Sequence, residues 1–130
     1  VLAEQPDVRL VVKEFPILAE TSVLAAKAAI AAHRQGKFRQ FHISMMTWRG
    51  KIDEYAIDAA IQRAGLDKNR LRKDMEEELT AAILGKTRAA AAALEVRGTP
   101  ALIIGETIIP GAIGKNEILD LINQTRAAKN

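Results

Sequence analysis

Two β-branched runs stand near opposite ends of this chain, and the residues between them are patterned almost wholly as helix. The first, residues 7–18 (DVRLVVKEFPIL), puts Val8, Leu10 and Val12 on one face and Val11 and Phe15 on the other. Apolar residues on both faces predict a buried strand, of the kind found in parallel sheets. The second run follows Gly98-Thr99-Pro100 and reads as a hairpin: a strand over 101–104, a Gly105-Glu106 turn, then a strand over 107–109 closed by Pro110 and Gly111.

The intervening helices announce their own ends. Thr21 or Ser22 is the expected N-cap of an Ala-rich helix over 23–33, with Gly36 just beyond it. Phe38, Phe41, Met45 and Trp48 recur at helical spacing in a second helix ending near Arg49-Gly50. Asp53 caps a third that ends at Gly65, with Ile52 and Ile57 at hydrophobic-staple spacing; Asp67, with Leu66 and Leu71, repeats the device for a fourth. The periodic run from 67 to 96 is too long for one straight helix, so a break is expected near residues 78–80 or at Gly85. A last amphipathic helix, 116–127, covers one face of the hairpin. Short loops and the absence of any internal repeat point to one domain over residues 1–130.

Composition excludes several classes of function. A formal charge of +3 spread over 130 residues is no nucleic-acid footprint, and no apolar run approaches the roughly 18 residues of a membrane span. The cysteine count is zero, which removes disulfides, thiolate metal sites and thiol nucleophiles from these residues. His33 and His42 lack a third ligand, and the acidic cluster Asp74, Glu76, Glu77 and Glu78 reads as a solvated helix face, so no metal is expected. The GAIGK segment at 111–115 fails as a phosphate loop, because Ile109 replaces the first glycine and Asn116 the final Ser or Thr. Ser22 and Ser44 sit in no elbow motif suited to a hydrolase. Thr99-Pro100 leading into a strand is open to two readings: an ordinary edge proline, or a cis bond that presents the Thr99 backbone to an extended peptide. Lys13, in mid-strand, is either a snorkelling edge lysine or a charge tuning a neighbouring ionisable group.

Taken together, VRLVVKEFPIL at 8–18, the Ala-rich helix, QGKFRQFHISMM at 35–46, AGLDKNRLRKDM at 64–75 and RGTPALIIGETIIPGAI at 97–113 resemble the DsbA family of thioredoxin-fold thiol:disulfide oxidoreductases. The resemblance covers nearly the whole chain. It implies an α/β, thioredoxin-like fold with a helical insertion at about 20–90, Thr99-Pro100 as the cis-proline pair lining a redox site, and Lys13 near that site. It implies extended polypeptide substrates, no cofactor, and a periplasmic or otherwise extracytoplasmic setting.

The departure from the family pattern is the missing central strand and Cys-x-x-Cys helix, which would come before residue 8. The first five residues read as a remnant of that helix, and the opening at Val1, with no signal-peptide pattern, leads us to expect an upstream segment. A sheet lacking its central strand has costly unpaired edges, so either that segment or a strand-paired homodimer is expected to close it. Without cysteine these residues alone are expected to be redox-inactive. Two other readings are a cysteine-free thioredoxin-fold module that binds peptides, and a glutathione-dependent transferase or isomerase on the same fold.

Overall fold

A computed structural model describes residues 1–128, and the chain divides into two compact units, Glu14–Ala90 and Val1–Lys13 with Ala91–Asn130. The first unit holds α1 (Glu20–Arg34), α2 (Phe38–Met46), α3 (Glu54–Arg63), α4 (Lys68–Met75) and most of α5 (Glu78–Ala93). Alanines at 28, 29, 31 and 32 let α1 come close to its neighbours, and Phe41, Met45, Ile57, Ile61, Leu71 and Met75 fill the space against them. Phe41, Ile57, Leu71 and Met75 are almost wholly sealed from solvent, each contributing about 1.5–3 kcal/mol of burial.

Both aspartate caps form as the sequence predicts. Asp53 accepts from the Ala56 N–H at 3.0 Å and Asp67 from the Arg70 N–H at 2.9 Å. Both staples join the core, with Ile57 and Leu71 buried and Ile52 and Leu66 packed beside them. At Gly36, φ is +70°, and the N–H groups of Gly36 and Lys37 return to the carbonyls of His33 and Ala32. That left-handed turn ends α1 and satisfies carbonyls the helix leaves free. Gln35 then donates to the Asp67 carbonyl and accepts from its N–H, tying the end of α1 to the start of α4.

Several expectations shift. The N-cap of α1 is the extended Ala19, not Thr21 or Ser22, whose hydroxyls fall inside the first turn. The second helix stops at Met46, and Thr47 turns its hydroxyl back to the Ile43 carbonyl. The long periodic run breaks at Glu76-Glu77, just before the first expected break point, and passes through Gly85 unbroken. Buried Thr80 holds that break by donating to the Asp74 carbonyl at 2.6 Å.

In the second unit, β1 (Ala101–Ile104) and β2 (Thr107–Pro110) pair antiparallel in the register Leu102↔Ile109 and Ile103↔Ile108. The predicted Gly105-Glu106 turn joins them, with Gly105 at φ +61°. α6 (Lys115–Ala127) packs on β1 and buries Ile122. Near the chain's start, Glu4 pairs with Lys115, and both carboxylate oxygens of Asp7 accept from Arg126. These cations hold the carboxyls of Glu4 and Asp7 below their ordinary range through hydrogen bonds and charge.

The largest correction concerns residues 7–18. They form no strand, and Leu10, Val11, Val12, Ile17 and Leu18 are exposed. β propensity cannot make a strand without a ladder partner, and β1–β2 is the one pairing among the described residues.

Candidate functional site

The chain between α5 and β1 is shaped by what its residues cannot do. α5 ends in the same left-handed turn as α1, with the Glu95 and Val96 N–H groups returning to the Ala92 and Ala91 carbonyls. The residue carrying positive φ (+56°) is here Glu95, where glycine is the unstrained choice. For an L-residue that conformation costs roughly 1–2 kcal/mol. Arg97-Gly98-Thr99 follow without regular structure, and the Thr99-Pro100 peptide is cis. Pro100 has no N–H to give a ladder, but its carbonyl accepts from Gly111 at 2.9 Å, which closes the open end of the hairpin.

Thr99 is exposed, and among the described residues neither its N–H nor its C=O takes part in a backbone hydrogen bond. Beside it lies a hollow of about 160 Å³ lined by Glu95, Val96, Arg97, Gly98, Pro100, Ala101, Ile108, Pro110 and Gly111. Its walls are chiefly apolar, with one carboxylate and one guanidinium among the lining residues. A loop with free backbone groups next to an apolar hollow can pair with an extended chain and seat one of its side chains.

Lys13 is exposed, makes no ion pair among the described residues and does not line this hollow. At the neighbouring Glu14, burial raises the carboxyl above its ordinary value. The two histidines flank one ring: His42 stacks on Phe38 at 5.3 Å and His33 meets it edge-on at 6.4 Å. Among the described residues no cluster of His, Asp and Glu is arranged to hold a metal ion.

The acidic cluster is not simply a solvated face. Asp74 is buried, with Arg34 Nη1 3.2 Å from its Oδ1 and Arg70 Nε 3.8 Å from its Oδ2. Arg34 also meets Glu77 at 2.6 Å, and Lys27 reaches Glu76. The cluster therefore joins α1 to the α4–α5 break. Lys115 of the GAIGK segment begins α6 and is engaged with Glu4.

Sequence reasoning missed Glu95 and Arg97 as lining residues. The one available signal was a helix pattern that ended without a glycine just before Gly98-Thr99-Pro100. It also missed an open groove of about 480 Å³ lined by residues 15–20, Val23 and Arg88.

The mostly helical α/β chain, with its two-stranded hairpin backed by α6, has a thioredoxin-like fold, as its family model and its structural likeness to a thioredoxin-like oxidoreductase show. Within that class, the chain belongs to the DSBA-like thioredoxin domain family, whose model matches residues 1–123. It is similar to a thioredoxin-like oxidoreductase from Silicibacter pomeroyi, at 35% identity and a TM-score of 0.93 over 97% of this chain and 73% of the other. A periplasmic thioredoxin-like protein from Salmonella enterica serovar Typhimurium is 30% identical, with a TM-score of 0.85 over 96% and 70% of the two chains. The thiol-disulfide exchange protein alpha-DsbA2 from Wolbachia pipientis is 25% identical, with a TM-score of 0.80 over 86% and 62%. Among curated proteins, none matches. No described helix is long and apolar enough to cross a membrane.

Proposed function

We propose that these residues supply the peptide-binding part of a DsbA-like thiol:disulfide oxidoreductase acting on extended polypeptides outside the cytoplasm. The observation that carries this reading is the unpaired Thr99 backbone beside the hollow at Pro100. An incoming segment would add to it as a short strand, with main-chain bonds giving affinity and the hollow selecting a side chain. Thr99 and Pro100 are the substrate-binding residues of this reading, and Lys13 a tuning residue whose effect reaches the thiol chemistry through charge alone. The 130 residues contain no cysteine, so they bind and do not themselves exchange disulfides. Family membership and the periplasmic relative support the extracytoplasmic setting. On the same reading, Glu14–Ala90 corresponds to the helical insertion of a single DsbA-like domain.

The test is a titration of the isotope-labelled chain with a cysteine-free extended peptide, followed by amide shifts. The reading expects shifts concentrated at Thr99, Ala101 and Gly111. Saturating peptide that leaves those amides unmoved refutes it.

A strand-paired homodimer has its own supporting observation, the unpaired and largely apolar run from Leu10 to Val12. Sedimentation should then show a dimer that Val11→Lys dissociates; a monomer at high concentration rules it out.

A further inference from the structure

Resting on the peptide-binding reading above, we infer that Glu95 determines specificity, favouring a basic residue next to the apolar side chain seated in the hollow. Three observations converge. The first is conformational: Glu95 occupies the left-handed position that ends α5, where glycine would relieve the strain. Such a residue is not explained by the turn it forms, and strain of this kind gathers at functional sites.

The second is placement. Glu95 lines the hollow at Pro100, and its carboxylate takes part in no ion pair or side-chain hydrogen bond among the described residues. It is thus free to meet a ligand. The third is size and polarity. A hollow of about 160 Å³ matches the roughly 150 Å³ known to admit a benzene-sized group, so one Leu or Phe side chain fills it. Val96, Ala101, Ile108 and Pro110 give that side chain apolar walls. A lysine or arginine beside it in the peptide then meets the carboxylate, whereas an acidic residue there meets like charge. Arg97, the other charged lining residue, limits the preference to a single basic position by repelling a second.

The probes are three blocked hexapeptides, Ala-Ala-Leu-Lys-Ala-Ala and its versions with Gln or Glu in place of Lys. Binding is followed by the amide shifts of Ala101, Ile108 and Gly111 at low salt. The chain is expected to bind the Lys peptide about fivefold more tightly than the Glu peptide, a ratio typical of a solvent-facing charge pair. Glu95→Gln should abolish the preference for the Lys peptide, and with Arg97 left as the charged lining residue the ratio should fall to one or below. Glu95→Gly should do the same and also raise the urea midpoint, which separates the charge from its structural position. A preference that survives Glu95→Gln overturns the inference, as does a chain that binds all three peptides equally. If none of the peptides moves those amides, the peptide-binding reading fails first and the inference falls with it.

Discussion

Replacing Gly105 by alanine tests whether the hairpin turn is set by backbone conformation, by the approach of α6, or by both. Gly105 has φ +61°, where an L-residue costs roughly 1–2 kcal/mol. A Cβ at this position would also lie 2.7 Å from Thr125 Oγ1, 2.8 Å from its Cγ2 and 3.3 Å from its Cβ. Threonine is short and stiff, and its hydroxyl is engaged with the Leu121 carbonyl at 2.8 Å, so relief requires α6 to shift. Overpacking of that kind costs about 1–3 kcal/mol. Against these stands a gain of about 0.4–1 kcal/mol from the stiffer unfolded chain. Gly105→Ala should therefore destabilise by about 2–4 kcal/mol.

Thr125→Ala removes the two nearest of these three atoms and leaves the Cβ at 3.3 Å, so in that background Gly105→Ala should cost only about 1 kcal/mol. The difference, a coupling of about 1–3 kcal/mol, is read from a double-mutant cycle of urea unfolding followed by far-UV dichroism. Amide exchange at Leu102 and Ile104 localises the effect to the unit that holds the hairpin. An equal cost in both backgrounds would refute the steric argument. A cost below about 0.5 kcal/mol in the parent would refute the conformational one as well.

Other expectations follow from the same structure. Asp53→Ala and Asp67→Ala should each destabilise the helical unit by about 1 kcal/mol, measured as a lower urea midpoint with unchanged slope. Glu14 has a folded-state pKa raised by burial, so the folded state binds its proton more tightly and stability falls as pH rises from the ordinary carboxyl value through the raised one. Glu14→Gln should accordingly raise the melting temperature at pH 7 and leave it unchanged near pH 3. Insulin reduction and dithiol oxidation by a sample verified to be cysteine-free should show no turnover above the uncatalysed rate, and measurable turnover would contradict the division of labour proposed above.

The helical unit was legible because its signals are local. Asp53 and Asp67 carry their capping partners three residues away, and the apolar stripe through Phe41 and Met45 repeats within two turns. The hairpin was legible for the same reason, its turn being two residues long. Residues 7–18 were misread because a strand is a relation between segments, and propensity describes only one of them. Apolar alternation there is real, but no ladder receives it among the described residues. The candidate site was half legible: Thr99-Pro100 stood out as a motif, whereas Glu95 became visible only when the backbone angle ending α5 placed it beside the hollow. The engagement of Asp74 with Arg34 and Arg70 was hidden because consecutive carboxylates give no hint of which one turns inward.

The ion pairs that fasten Glu4 to Lys115 and Asp7 to Arg126 join residues 111 and 119 positions apart. A ribosome makes these partners in order, at about 5–20 residues per second, so Asp7 waits roughly 6–24 seconds for Arg126. During that interval the helices from Glu20 to Met75 can already be forming, since the partners they pack on, α1 against α4 included, all precede Arg126 in the chain. The apolar run at Leu10, Val11 and Val12 lies just beyond Asp7 and is made well before Arg126, the cation that fastens Asp7. A holdase or a second nascent copy can therefore reach that run before Asp7 is fastened, and the run stays exposed once it is.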